Sequence, residues 1–100
     1  MNVTVTPAHA RRFPLAVGQT FYLDMGSYGF PATVTAVPGA SSNITLAFST
    51  TPGAASLGAA ATWQLLAGTA TAIRSNTLAG PVTALRAVCT VAIGAIEVVG

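Results

Sequence analysis

Short segments of alternating apolar and polar residues, separated by Gly and Pro, constrain this chain more than any other feature. Segment 43–50 shows the clearest alternation, with Ile44, Leu46 and Phe48 at every second position. A period of two is typical of a β-strand that buries one face. The 10 Gly and 6 Pro interrupt the chain too often for helices of ordinary length. The sequence therefore predicts an all-β fold.

Seven or eight short strands are predicted in this way. They cover segments 3–6, 19–24, 30–37, 43–50, 62–66, 69–74, 82–91 and 95–99, with a short edge piece at Leu78. Because each sheet must bury one face, this pattern predicts an antiparallel β-sandwich or a small jelly-roll-like barrel. Segment 1–17 is predicted to form a first strand and an extended, irregular arm, and segment 18–100 the β-sandwich domain.

The last two predicted strands are apolar on both faces. Leu85, Ala87, Cys89 and Val91 define one face of segment 82–91, and Cys89 is expected to behave as a small buried apolar residue. The opposite face is still half apolar. A strand of this kind suits a sheet that a neighbouring subunit covers on its second side.

Charged residues are unusually scarce in this chain. They make up 6% of the sequence, against about 25% in a typical soluble domain, and none of them is lysine. Either Thr, Ser, Asn and Ala cover the surface, or much of the surface is hidden against partners; we expect both, with contact to partners dominant. The net charge of +2 is too small for the phosphate contacts that nucleic-acid binding needs.

The sequence offers few groups for chemistry. Its two carboxylates, Asp24 and Glu97, are far apart in the chain, and its one histidine, His9, lies in the Pro-containing arm. Nucleophilic catalysis needs a base beside a nucleophile, and a zinc site needs three or four clustered ligands. The most apolar stretch, 84–99, is shorter than the ~20 residues of a membrane-spanning helix. We expect no enzymatic activity, cofactor, metal or membrane partner.

Aromatic and arginine side chains supply the candidate contacts with partners. Tyr, Trp and Arg commonly dominate the energetics of interfaces. The predicted interface residues are Arg11, Arg12 and Phe13 in the arm, and Tyr28 and Phe30 at the edge of a turn. An alternative is a carbohydrate or ligand groove formed by Tyr28, Phe30 and Trp63.

The chain from Asn43 onward carries a recognisable order of short motifs. They are Ile44-Thr45-Leu46, Thr62-Trp63-Gln64-Leu65-Leu66, Thr69-Ala70-Thr71, Leu78-Ala79-Gly80-Pro81-Val82-Thr83-Ala84-Leu85-Arg86 and Glu97-Val98-Val99-Gly100. This order resembles small β-sandwich structural proteins of tailed bacteriophage virions. The resemblance covers about the last sixty residues and brings no catalytic residue. It implies structural roles for Trp63, Gly80, Pro81, Leu85 and Arg86, and Arg86 is expected to pair with Glu97.

The resemblance implies a virion protein that is assembled in the host cytoplasm. The first expectation is a capsid decoration or cement protein that binds the major capsid protein and forms a homo-oligomer, with a trimer favoured. A head fibre, tail or baseplate component is the second expectation. A non-viral β-sandwich of the carbohydrate-binding or adhesin type is the third.

Overall fold

Two antiparallel sheets make up the protein. The computed structural model describes residues 10–66 and 68–100, and the strand predicted at 3–6 lies outside them. The described elements are β1 (Ala10–Leu15), β2 (Thr20–Asp24), β3 (Ala32–Pro38), β4 (Asn43–Ser49), α1 (Ala54–Leu57), a 3₁₀ turn (Gly58–Ala60), β5 (Gln64–Leu65), β6 (Arg74–Leu78), β7 (Ala84–Thr90) and β8 (Gly94–Val99). The predicted all-β sandwich is confirmed.

The strand order of each sheet is non-local. The first sheet has the order β1-β8-β3-β6 and the second the order β2-β7-β4-β5, with antiparallel neighbours throughout. Among the described residues, β1 lies at one edge of the first sheet and pairs with β8, which is about eighty residues away in the chain. Strands distant in sequence are brought together, so the surfaces of each sheet combine residues from both halves of the chain.

The core lies between the two sheets and follows the predicted alternation. Fully buried side chains come from the inward face of strands in both sheets, among them Val34, Ile44, Leu85, Ile96 and Val98. Burial of aliphatic side chains of this size stabilises the fold by about 1.5–3 kcal/mol each. Cys89 is buried, as predicted.

Two expectations about local structure are wrong. Part of the predicted irregular arm, Ala10–Leu15, is the regular strand β1, and its Phe13 ring lies 5.2 Å from that of Phe21 in β2. Segment 69–74 forms only an isolated bridge between Ala70 and Ile44, and the strand begins at Arg74 instead. In both cases an edge strand, which needs only one partner, tolerates the polar residues or proline that the prediction treated as interruptions.

The chain itself covers part of the outer face of the second sheet. By the alternation in segment 43–50, Ala47 and Ser49 of β4 face away from the core, yet they are buried, as is Ala84 of β7. Helix α1 contacts β2 and β7 and lies over this region. The Thr83 side chain anchors the covering segment by donating hydrogen bonds to the carbonyl oxygens of Ser49 (3.0 Å) and Thr51 (2.6 Å). The second apolar face of β7 is therefore covered within one chain.

Candidate interaction surface

The arginines predicted as interface residues lie on β1, and their side chains point to opposite faces of it. Arg12 is exposed on the outer face of the first sheet and donates a hydrogen bond from Nη1 to Glu97 Oε2 at 2.6 Å. Arg11 points the other way, with its guanidinium carbon 5.9 Å from the centre of the Phe13 ring. Phe13 is half-buried against the core. Arg11 and Arg12 are therefore accessible to a partner, whereas most of the Phe13 ring serves the fold.

Tyr28 and Phe30 contribute to the core rather than to an exposed aromatic cluster. Tyr28 is buried, and this burial raises the pKa of its phenol above the usual value, partly offset by the charge of Arg11. Phe30 packs, half-buried, against the same core. The Tyr28 ring is therefore not accessible to a partner.

Trp63 lies elsewhere, on the outer face of the second sheet. Its indole N–H donates to the Gly58 carbonyl at 2.9 Å, and its ring centre lies 5.5 Å from that of Tyr22. The Arg86 guanidinium carbon lies 5.2 Å from the centre of the same ring. Trp63 therefore does not join Tyr28 in a single groove. The predicted Arg86–Glu97 pair is wrong, because the two side chains lie on the outer faces of different sheets.

Groups that could perform chemistry are not brought together among the described residues. No group of three or more His, Cys, Asp or Glu side chains is found in residues 10–66 and 68–100, and His9 lies outside that part of the chain. In the same residues no helix is long and apolar enough to cross a bilayer. A hollow of about 240 Å³ contains Asp24, whose Oδ1 accepts a hydrogen bond from the Gly26 amide at 2.8 Å.

The outer face of the first sheet is organised in three rows that run across its strands. The apolar row contains Pro14, Ala95 and Val37, and Ile73 extends it one residue before β6. The other two rows lie at increasing distance from the apolar row. The middle row is Arg12, Glu97, Thr35 and Ser75, and the third row is Ala10, Val99, Thr33 and Thr77.

All four side chains of the middle row have partners within the row. Arg12 and Glu97 form the ion pair, and the hydroxyl oxygens of Thr35 and Ser75 lie 2.7 Å apart. The two charges of this face therefore cancel, and the rest of the face is aliphatic or hydroxyl-bearing. The described helix α1 makes its strand contacts with β2 and β7 of the second sheet.

Exposed aliphatic side chains are concentrated at one end of the sandwich, next to the apolar row. We name Val17, Ile73, Val91 and Ile93 the apolar end. Their side chains are 47%, 71%, 68% and 69% exposed, respectively. They come together because the β1–β2 loop, the start of β6 and the β7–β8 turn meet at this end.

Buried polar contacts fix the turn that presents two of these side chains. Ser42 Oγ and Cys89 Sγ lie 2.9 Å apart, and each donates to the Ala92 carbonyl at 2.7 Å. The Gly39 amide donates to the Ile93 carbonyl at 3.1 Å. The turn also holds Val91 at a φ of 75°. A β-branched residue rarely adopts this left-handed conformation, which is strained and is most often found where function requires it.

Comparison of the chain with protein-family models, with curated proteins and with solved structures finds no match. Function is therefore argued from the surface described above.

Sequence reasoning missed the apolar end, although one signal was present. Ile93 stands beside Gly94, between the predicted strands 82–91 and 95–99. The alternation placed Val91 on the same face as Leu85 and Cys89. That prediction is wrong, because β7 ends at Thr90 and Val91 is 68% exposed. Only the position of the turn shows that these side chains project into solvent.

Proposed function

We propose that this chain is a structural virion protein of the capsid decoration or cement type. It acts without catalysis, is assembled in the host cytoplasm, resides in the virion, and binds the major capsid protein on the outer surface of the head. The observation that carries this proposal is the apolar end, four exposed aliphatic side chains in a protein with very few surface charges.

The apolar end is suited to docking rather than to solvent exposure. Its four residues are between about half and three-quarters exposed, and exposed apolar patches on monomers are often functional. Removal of each exposed side chain from water would contribute about 1–2 kcal/mol before the costs of association. A patch of this size gives weak binding by itself, but many copies on a repeating capsid lattice gain from avidity when they are linked.

Binding to purified particles tests this proposal. Particles from a phage whose copy of the gene is deleted are mixed with the purified protein and separated on a density gradient. Ile93→Asp places a charge in the apolar end and is expected to reduce binding at least tenfold, because an unpaired charge would be desolvated on docking. Leu65→Asp is the matched control, since Leu65 is 65% exposed on the second sheet.

The controls determine how the result is interpreted. Both variants should retain the far-ultraviolet spectrum and melting temperature of the wild type within a few degrees, since both side chains are exposed. Equal loss of binding by both variants would remove the apolar end from the proposal. Absence of binding by the wild-type protein to any head would contradict the decoration role.

A shorter deletion tests the N-terminal segment without disturbing the fold. Deletion of residues 1–17 would remove β1, which supplies Leu15 and Phe13 to the core. Deletion of residues 1–9 leaves every described strand intact. If this segment contacts a neighbour, the shorter deletion lowers particle binding without lowering the free energy of unfolding.

A further inference from the structure

The outer face of the first sheet, defined above by its three rows, is self-complementary in side-chain polarity. We propose that this face packs against the same face of a second copy of the chain, with the two-fold axis parallel to the strands and between β3 and β8. This inference rests on the proposed function only for its biological purpose. The contact is a property of the isolated protein.

Rotation about this axis places β1 of one copy over β6 of the other, and β8 over β3. In the apolar row, Pro14 then meets Ile73 of the second copy and Ala95 meets Val37. Ala95 is already covered by its neighbours within one copy, so the contact in this row is made mainly by Pro14, Val37 and Ile73. In the third row, Ala10 and Val99 border a hollow of about 250 Å³, into which Thr77 and Thr33 of the second copy can project.

The middle row shows the same agreement in polarity. Arg12 of one copy faces Ser75 of the other, and Glu97 faces Thr35. Each charged group thereby meets a hydroxyl that can accept from the guanidinium or donate to the carboxylate. Since the ion pair is already formed within one copy, packing leaves no charge without a partner, which is the usual obstacle to burying such groups.

The face offers a small contact area. Four strands at about 4.8 Å spacing and six residues at about 3.3 Å give a face of about 19 by 20 Å. This area of about 380 Å² is about half of the ~800 Å² per partner of a standard interface, so the dimer is expected to be weak. The axis parallel to the strands brings both apolar ends to the same side and leaves Val17, Val91 and Ile93 of each copy outside the contact.

An axis perpendicular to the strands is the competing arrangement. It places each strand over the same strand of the second copy, so that Ser75 meets Ser75 and the apolar row meets the hydroxyl-bearing third row. Complementarity of size and polarity is then lost. The two axes predict opposite effects for a charge at Ser75, which is exposed and lies in the middle row.

Analytical ultracentrifugation of the full chain over a concentration series tests the proposal. The wild type, of 10.0 kDa, is expected to reach twice that mass. Ser75→Asp is expected to tighten the dimer about fivefold through two new contacts with Arg12, and Ser75→Arg to weaken it by about the same factor. Thr33→Arg is expected to weaken it about a hundredfold, because it places a charge in the third row.

Thr20→Arg on the outer face of the second sheet is the matched control and is expected to leave the dimer unchanged. A wild-type mass that stays at 10.0 kDa, or that reaches three times this value, would overturn the proposal. Weakening by Ser75→Asp would assign the other axis and would likewise overturn it. Dimer formation without binding to particles would contradict the decoration role alone, so the two failures are distinguishable.

Discussion

Replacement of Val91 by Asn is expected to stabilise the protein. Val91 has a φ of 75°, and for a residue with a Cβ this conformation costs about 1–2 kcal/mol. Asn tolerates it better because its side chain can bond locally. Since Val91 is about two-thirds exposed, its replacement forfeits only about 0.5 kcal/mol of burial. The net gain is about 1 kcal/mol in the free energy of unfolding, or about 5 °C in Tm for a domain of this size.

Thermal and urea unfolding followed by circular dichroism measure this effect. Ile93→Asn is the matched control, since Ile93 is equally exposed and its φ is not positive. The control should lose about 0.5 kcal/mol with no compensating release of strain. If Val91→Asn destabilises the protein as much as the control does, Val91 is not strained and the reasoning is refuted. A stabilised Val91→Asn that binds particles less well would assign the strained position to docking.

Three further predictions concern the glycine beneath the apolar end, the tryptophan and the buried tyrosine. Gly39→Ala is expected to lower the free energy of unfolding by about 2 kcal/mol, because the added Cβ would overlap the Ile93 carbonyl oxygen. Gly80→Ala is the control: nothing lies near its added Cβ, so it should cost less than about 0.5 kcal/mol. Urea unfolding measures both. Trp63→Phe loses a hydrogen bond of 2.9 Å and should cost about 1 kcal/mol, measured in the same way. Because burial raises the pKa of Tyr28, the folded state favours the neutral phenol. The free energy of unfolding therefore falls as the pH rises above 10.0. Tyr28→Phe should reduce that fall in thermal melts between about pH 9 and 11.

The sandwich was predictable from the sequence because its central strands obey one simple rule. In β4 and β7, inward positions are apolar at every second residue, so the alternation predicts both the strand and its buried face. The same rule fails at the edges. β6 has only Leu78 fully buried, with Arg74 and Asn76 half-buried on the same face, so it shows no apolar alternation. β1 combines two arginines with Pro14, residues that protect an edge from further pairing.

The candidate surface could be predicted only in general terms. Low charge and two-sided strands indicated a covered face, but they applied equally to β7 and β8. The structure distinguishes the two strands, because α1 contacts β7, where Ala84 is small and buried. The rows on the first sheet depend on the order β1-β8-β3-β6. No local pattern carries that information, since it arises from pairings between distant segments.

The abundance of this protein in purified particles tests the central claim most directly. Heads are isolated on a density gradient from a lysate of cells that encode the chain, and quantitative mass spectrometry compares its copy number with that of the major capsid protein. A decoration protein is expected at a copy number of the same order as the capsid subunit. A few copies per particle would indicate a head fibre, tail or baseplate component instead. Presence in the lysate with absence from every particle fraction would contradict a virion role.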